Sequence, residues 1–311
     1  MTFFQPDRKL QDACDRLIDI VCSRYPLTRN QIAMTLLVYD AESIVDYAEV
    51  EGANFWNRKM RGYSHRGIEL VYPASVIKLF YMVALHEWLD KGMLSLTPET
   101  ERALRDMIVD SSNDATALIV DVLSGTTGGP ELASGPFATW QHQRQIVNRY
   151  FHNLDVPEYG LINVCQKTWC DGPYGREREF YGENMENRNM LTTEATAHLL
   201  HSIIGGMAIS RDRALSMRQL LYRSIDPQDL AADPYNQVTG FLGGGLPETA
   251  KLWSKAGLTS KVRHDAAYME IPGNPAFMLI VFTEGDTDNQ EVLPFICSSV
   301  MHELTLPSSD A

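Results

Sequence analysis

The spacing of apolar residues along the chain changes from helical to strand-like, and later back again. Residues 7–25 carry apolar side chains at helical spacing, which predicts an amphipathic first helix. Residues 32–39 and 43–50 are β-branched and apolar runs joined by a short Asp-Ala-Glu turn, which predicts an antiparallel hairpin. Strand patterns return only after residue 248, at residues 249–256, 262–271 and 276–283, followed by a closing helix at residues 289–304. Strands therefore gather at both ends of the sequence.

The middle of the chain is mainly helical. Thr97 and Pro98 are residue types that favour an N-cap and a first helical position, so a helix is predicted to begin there. Two polar, irregular stretches, residues 125–135 and 155–189, interrupt the helical region, and the second is long enough to be functional. Further helical patterns occupy residues 115–123, 137–151, 192–204 and 211–222.

These elements predict an α/β fold, in the sense of α+β. One antiparallel sheet built from both chain ends, flanked by helices and with an all-helical lobe inserted, is the economical arrangement. We predict a sheet lobe of residues 1–65 plus 245–311 and a helical lobe of residues 66–244. The active site is expected in the cleft between the two lobes.

Composition narrows the classes of partner. The chain has 311 residues, of which 44% are hydrophobic and 22% charged, as expected for a globular protein that can bury a sizeable core. Its formal net charge of −13 disfavours nucleic acids and anionic membranes as partners. The N-terminus lacks a signal-peptide pattern, which predicts a cytoplasmic protein, or a periplasmic or secreted one if a signal was removed. We expect a monomer that acts on a small molecule.

No cofactor or metal is expected. The eight histidines show none of the dense spacings of a catalytic metal site, and the glycine-rich stretches lack the context of a phosphate loop. Cysteines are expected to be free thiols, although Cys165 and Cys170 are near enough in sequence to bridge. The five cysteines are Cys14, Cys22, Cys165, Cys170 and Cys297.

Ser75 and Lys78 form the candidate with the clearest chemistry. Residues three apart on a helix are neighbours, so the serine hydroxyl and the lysine amine can come within hydrogen-bond reach. The helix that follows is apolar nearly all round and should be buried, which would lower the pKa of the lysine and favour its neutral amine. Pro73 suits a helix entry, where unpaired backbone N–H groups can form half of an oxyanion hole.

A Ser-x-x-Lys spacing arises by chance about once in a chain of this length, so further elements must support it. Two short segments do so. Ser111 and Asn113 lie in Asp-Ser-Ser-Asn-Asp between two predicted helices. Lys255 and Gly257 lie in Trp-Ser-Lys-Ala-Gly-Leu on the first of the late strands, where the glycine lets a substrate approach the backbone closely.

Ser-x-x-Lys, then Ser-x-Asn, then Lys-x-Gly resembles the active-site signature of the serine β-lactamase and penicillin-binding-protein superfamily. The resemblance covers most of the chain and is closest to the class A β-lactamases. It implies that Ser75 is the acylated nucleophile and that Lys78 takes or relays its proton. Ser111 would pass a proton to the leaving nitrogen, and Asn113 would hold the acylamide side chain of the substrate. Lys255 would supply positive potential for Ser111 and for the substrate carboxylate.

The same resemblance implies the binding residues on the late strands. Ala256, Gly257 and Leu258 would line the substrate site, with the backbone N–H groups of Ser75 and Leu258 forming the oxyanion hole. Arg263, on the next strand, matches an arginine by which many class A enzymes anchor the substrate carboxylate. A structural charge at the strand edge is the alternative for that residue.

The chain departs from the family pattern at three places. Ser112 stands where the family usually has Asp, and Ala256 replaces the Thr or Ser of Lys-Thr-Gly. Losing that hydroxyl removes one hydrogen bond to a charged group, a cost of about 1.5–3 kcal/mol. The Glu-x-x-Leu-Asn segment that carries the deacylation base has no match in residues 176–184. Glu179 is the best-spaced candidate, with Glu177 and Glu183 as rivals and three solvated loop carboxylates as the alternative.

The leading functional hypothesis is a serine hydrolase that opens a β-lactam amide through a Ser75 acyl-enzyme. One alternative is a peptidase acting on D-Ala-D-Ala ends, or an esterase or amidase acting on another small acyl compound. A second is a β-lactam-binding sensor that acylates without turnover. A third is a relative that keeps the fold without the chemistry.

Overall fold

A seven-stranded sheet forms the centre of the molecule. The computed structural model describes residues 3–45, 52–58 and 60–305. The strands are β1 (Gln5–Pro6), β2 (Ile32–Val38), β3 (Arg61–His65), β4 (Tyr222–Arg223), β5 (Lys251–Leu258), β6 (Val262–Glu270) and β7 (Phe277–Glu284). They lie in the order β1-β3-β2-β7-β6-β5-β4. Every neighbouring pair is antiparallel except β1 and β3.

The described residues also form eleven helices, some of which pack on the two faces of the sheet. They are α1 (Arg8–Arg24), α2 (Lys78–Asp90), α3 (Pro98–Ile108), α4 (Asn113–Ser124), α5 (Ser134–Arg144), α6 (Ile146–Asn153), α7 (Gly175–Tyr181), α8 (Thr193–Ile204), α9 (Arg211–Leu221), α10 (Pro227–Ala232) and α11 (Val292–Thr305). The mixed α/β fold and the sheet assembled from both chain ends are confirmed. No helix in the described residues is both long enough and apolar enough to cross a membrane.

The apolar patterns explain which face each helix covers. Asp7 caps α1 by accepting backbone N–H groups of Lys9 and Leu10, and the apolar stripe of α1 is buried beside α11 on one face of the sheet. On the other face lies α8, which is buried along its whole length and belongs to the same core as α2. Strand β2 is buried at every position because its two faces contribute to the two cores, and its one polar residue, Thr35, is hydrogen-bonded to Thr193 on α8.

The partner of β2 differs from the predicted hairpin. Strand β2 pairs with β3, in a register that sets Met34 opposite His65, and with β7 on its other side. Residues 43–45 are not in a strand, and residues 46–50 lie outside the described residues. The sequence analysis missed β3 because Arg-Gly-Tyr-Ser-His has little of the apolar alternation that marks a strand.

Two further elements depart slightly from the sequence patterns. The predicted helix at residues 137–151 is two helices, α5 and α6, which meet at Gln145, a residue near φ −81° and ψ 7°. The two-residue strand β4 adds an edge to the sheet from within the mainly helical part of the chain. Both features are too short to leave a periodic signal.

The long irregular stretch is attached to the helical core by buried charges. The side chains of Arg144 and Glu177 are both fully buried, with Nη2 of Arg144 donating to Oε1 of Glu177 at 2.8 Å. Nζ of Lys167 lies 3.3 Å from the same oxygen and 2.7 Å from Asp121 on α4. We name these four residues the loop-anchoring cluster. They join the stretch, which contains α7, to α4 and α5.

We expect Arg144→Met to lower the free energy of unfolding by about 3 kcal/mol, because removing one partner leaves a buried carboxylate undercompensated. Urea denaturation measures the change. Arg178→Met is the matched control, since Arg178 lies exposed on α7 and should alter stability by less than about 0.5 kcal/mol. Equal effects of the two substitutions would show that the cluster does not stabilise the stretch.

Candidate active site

Ser75 lies in a tight turn at the entrance of α2. Residues Ala74–Ile77 form a 3₁₀ turn that leads directly into the helix, and the N–H of Val76 donates to the carbonyl of Pro73. Ala74 has φ +46°, a left-handed conformation that is costly for a residue with a side chain. The surrounding structure therefore imposes the turn. Ser75 is partly exposed and lines an open cleft.

Lys78 is fully buried one turn further on. Its Nζ lies 2.6 Å from the carbonyl oxygen of Ser111, 3.0 Å from Oδ1 of Asn113 and 3.3 Å from Oγ of Ser111. Burial lowers the pKa of Lys78 to about 7, and a weaker interaction with the Cys170 thiol opposes the shift. A neutral amine has two N–H groups, which the carbonyl and the amide oxygen accept. Its lone pair is then left to accept a proton from a hydroxyl group.

The hydroxyl of Ser111 bridges two buried amines. Nζ of Lys78 lies 3.3 Å from Oγ of Ser111, and Nζ of Lys255 lies 2.9 Å from the same atom. Ser111 has φ +55° at the corner between α3 and α4. The next residue, Ser112, caps α4 by accepting the N–H of Ala115 at 3.1 Å. Serine and aspartate are both good N-cap residues, so this departure from the family pattern keeps a residue that can cap α4.

Lys255 is held on β5 by oxygen atoms of the protein. Besides Ser111, its Nζ donates to Oε1 of Gln237 at 2.5 Å and to the carbonyl of Ala256 at 2.9 Å. Burial lowers the pKa of Lys255 well below its ordinary value, and the positive charges of Lys78 and Arg223 lower it further. These effects favour the neutral amine, so the positive potential that the resemblance implies for Lys255 stays a prediction.

Gln237 is a site residue that the sequence analysis missed. Its Oε1 accepts from Lys255 and from the backbone N–H of Ala256 at 3.2 Å. Its Nε2 donates to the carbonyl of Val109 at 2.7 Å, at the end of α3. The side chain thus joins β5 to the helix that carries the Ser111 corner. A single glutamine in an irregular segment has no motif by which it could have been found.

Gly257 allows β5 to run directly against the Ser75 turn. A Cβ atom at this position would lie 2.8 Å from the carbonyl oxygen of Pro73 and 3.2 Å from the backbone nitrogen of Ser75. Only glycine fits at that separation without moving the backbone. Leu258, the next residue, is 49% exposed at the end of the strand and lines the cleft. The oxyanion hole formed by Ser75 and Leu258 stays a prediction.

Arg263 lies on β6 at the side of the cleft and is 95% buried, with a relative exposure of 5%. Its Nε donates to the carbonyl of Thr287 at 2.8 Å, and its Nη1 donates to the carbonyl of Gly240 at 3.0 Å. The guanidinium also lies over the ring of Phe241, 5.0 Å from the ring centre. These contacts give the arginine a structural function in addition to its place in the cleft wall.

The structure does not bring Glu179 into the cleft. Residues two apart on a helix point in different directions, so on α7 Glu177 faces the loop-anchoring cluster while Glu179 faces solvent. Glu183, the other rival, is also exposed. None of the three is among the described residues that line the cleft, and we do not assign Glu179 as the deacylation base. The sequence analysis predicted an irregular stretch here, so neither the helix α7 nor the face on which Glu179 lies was predicted.

The irregular stretch reaches the site at a different residue. Nδ2 of Asn113 donates to Sγ of Cys170 at 3.5 Å, so the tip of the stretch lies beside the Lys78 and Asn113 pair. Cys165 is buried and Cys170 is exposed, and both are free thiols. The described residues contain no group of three or more His, Cys, Asp or Glu side chains that could hold a metal ion.

Apart from Arg263, the described residues that line the cleft are neutral polar or apolar. Its described lining contains no Asp or Glu, and it consists of Ser75, Ser111, Asn113, Pro234, Tyr235, Asn236, Gln237, Thr239, Phe241, Ala256, Leu258, Arg263 and Gln290. Ser75, Ser111, Asn113 and Lys255 are thus brought together as the sequence motifs predict. A nucleophile, a neutral amine and a bridging hydroxyl are the groups that acyl transfer needs.

We expect the amine of Lys78 to titrate near pH 7, because burial disfavours its charged form. NMR of protein labelled with ¹³C at the lysine ε carbon measures this, with Lys78→Met assigning the signal. Lys91 is the internal control, since its contact with Glu87 raises its pKa above the ordinary lysine value. A Lys78 signal that titrates together with the surface lysines would contradict a neutral base.

Comparisons with known proteins agree with the motifs. Among solved structures, PBP-A is 18% identical with a TM-score of 0.59, covering 96% of this chain and 97% of that chain. The extended-spectrum β-lactamase TLA-1 is 14% identical with a TM-score of 0.63 and coverages of 94% and 99%. A β-lactamase from Sphaerobacter thermophilus DSM 20745 is 16% identical with a TM-score of 0.56 and coverages of 89% and 92%. At these identities the likeness shows the fold alone.

No curated protein sequence matches the chain. The family model described as the β-lactamase enzyme family matches residues 96–298, which is more than half of the chain. That segment contains the Ser111 corner, Gln237 and the Lys255 strand. With the fold of serine β-lactamases and their three motifs around one cleft, the chain belongs to the β-lactamase enzyme family.

Proposed function

We propose that the protein is a serine acyl hydrolase in which Ser75 is acylated by a β-lactam or a related small amide or ester. The observation that carries the proposal is the buried Lys78 amine, placed 3.3 Å from the Ser111 hydroxyl in the cleft that Ser75 lines. A lysine with a pKa of about 7 is in large part neutral at neutral pH, so it can accept a proton without a histidine.

Acylation proceeds by attack of Oγ of Ser75 on the substrate carbonyl. The Oγ–C bond forms while the serine proton moves to the Lys78 amine, and the carbonyl oxygen takes the negative charge. When the carbonyl reforms, the bond from carbon to the leaving nitrogen or oxygen breaks. The leaving atom takes a proton from Oγ of Ser111, which receives one in turn from Lys78 at 3.3 Å. In a β-lactam the leaving nitrogen stays attached through the rest of the molecule.

Deacylation is the slower step in this proposal. Hydrolysis of the ester needs a water that a base activates, and no carboxylate is among the described residues lining the cleft. Glu177 is committed to Arg144 and Lys167, and Glu179 is exposed. A mutant of the similar protein PBP-A has been solved as an acyl-enzyme complex with penicillin G. A long-lived acyl-enzyme fits the absence of a carboxylate from the described lining.

Ala256 supports a second candidate, an esterase or amidase acting on other small acyl compounds. The alanine lacks the hydroxyl that the family uses to bind the substrate carboxylate. A sensor that stays acylated is the limiting case of slow deacylation. Turnover number separates a sensor from an enzyme, because a sensor releases one equivalent of product and stops.

The first test is intact-protein mass against time after mixing with penicillin G. We expect one adduct on Ser75 that forms within minutes and persists for longer than the acylation phase. Ser75→Ala should give none, while Ser23→Ala, a substitution at the exposed end of α1, should label like the unmodified protein. The proposal is overturned if the protein forms no adduct and shows no turnover, both with penicillin G and with a chromogenic ester.

The acylation rate should rise with pH and level off above about pH 7. The base is the neutral amine of Lys78, which is protonated below its pKa of about 7 and available above it. Stopped-flow or quenched mass measurements from pH 5.5 to 9 give the profile. Lys78→Arg should remove the plateau, because a guanidinium stays charged throughout this range. A rate independent of pH in the unmodified protein would exclude Lys78 as the base.

A further inference from the structure

The amine of Lys255 has its donors occupied by the protein. Three protein oxygens lie within 2.9 Å of Nζ. A neutral amine has two N–H donors and an ammonium group has three, so these oxygens are enough to occupy the donors in either form. The shortest contact, 2.5 Å, is to Oε1 of Gln237, a side chain that is itself 91% buried with a relative exposure of 9%. A substrate carboxylate could bind this amine only by displacing one of these oxygens.

The other groups expected to bind a carboxylate are also altered. Ala256 presents a methyl group in place of a hydroxyl, and its backbone N–H donates to Gln237. Nε and Nη1 of Arg263 donate to the carbonyls of Thr287 and Gly240. Burial lowers the pKa of Arg263, and the carboxylate of Asp288 opposes that shift.

The wall next to these groups offers apolar contact. Tyr235 is 91% exposed and Leu258 is 49% exposed, and both line the cleft. Phe241 also lines the cleft, and its ring lies against the guanidinium of Arg263. Side chains of this kind bind a neutral or aromatic group by burying its surface. The net charge of −13 also repels an anionic substrate at long range and so disfavours its approach to the protein.

We propose that the leaving-group side of this cleft accepts neutral acyl compounds in preference to carboxylate-bearing ones, and that Gln237 is the residue that sets this preference. The proposal rests on the acylation of Ser75 and adds the substrate class. Gln237 acts by holding the amine of Lys255 on the protein's own oxygen. The amine keeps its contact with Ser111 for proton transfer but does not present a free donor to the substrate.

Penicillin G and its methyl ester form a matched pair of probes, because they share the ring and side chain and differ only in the carboxylate. The second-order rate of Ser75 acylation is measured for each by intact mass. We expect the ester to react at least as fast as the acid in the unmodified protein. In a site with free carboxylate donors the acid would be favoured by about tenfold to a hundredfold for each charged hydrogen bond.

Two substitutions test the assigned residues by the ratio of acid to ester rates. Ala256→Thr adds the hydroxyl, and Gln237→Met releases the Lys255 amine, so each should shift the ratio about tenfold toward the acid. Gln11→Met is the control, since Gln11 is an exposed glutamine on α1 that does not line the cleft, and it should leave the ratio unchanged. A merely structural effect would lower both rates and leave their ratio as it was.

The possible outcomes separate the two proposals. If the unmodified protein prefers the acid by tenfold or more, or if both substitutions leave the ratio unchanged, the neutral-substrate proposal is wrong while Ser75 acylation stands. If neither probe labels Ser75, the acylation proposal fails and the substrate class falls with it. Thermal denaturation of each variant shows whether it is folded, and Ala256→Ser provides a smaller hydroxyl if the threonine variant is not.

Discussion

The burial of two lysine amines on either side of one serine hydroxyl is the interaction on which the site depends. Nζ of Lys78 and Nζ of Lys255 both contact Oγ of Ser111, and both side chains are fully buried. Two charged amines in such a place would repel each other and lack hydration, so the neutral form of at least one is favoured. The helix α2, the corner at Ser111 and the strand β5 must therefore meet at a fixed separation. Left-handed backbone at Ala74 and Ser111, and a glycine at 257, are the local means by which they do so.

Much of this arrangement could be predicted from the sequence because its parts carry local signals. The apolar run after Ser75 predicted a buried helix, and burial is what lowers the pKa of Lys78. Thr97 and Pro98 predicted the start of α3, with Thr97 accepting the N–H of Thr100 as its cap. Strands β5, β6 and β7 were found by their patterns to within about two residues. These signals work because each element's burial depends on the period of its own side chains.

The features that the sequence did not predict depend on contacts distant along the chain. Strand β3 is a strand because β2 and β1 accept it at the sheet edge, and its own residues show little periodicity. Glu177 is on the buried face of α7 because its carboxylate binds Arg144, 33 positions earlier in the chain, and Glu179 is therefore on the exposed face. Gln237 can be recognised as a site residue only from its hydrogen bonds with Lys255 and Val109, which the fold brings together. In each case a partner elsewhere in the fold determines the side chain's environment.

Two buried polar side chains, Glu177 and Gln237, contribute to the stability of the fold and also bear on the chemistry of the site. The buried carboxylate in the irregular stretch, Glu177, anchors α7 to α4 and α5 through the loop-anchoring cluster and is not free to activate water. The buried amide, Gln237, occupies the Lys255 amine that could otherwise bind a substrate anion. Both polar atoms of the Gln237 side chain and Oε1 of Glu177 have internal partners, whereas Oε2 of Glu177 is buried without a hydrogen bond from the described residues. If Ser75 is acylated as proposed, the bonds of Glu177 keep its carboxylate from activating water, and the bond of Gln237 keeps the Lys255 amine from a substrate anion.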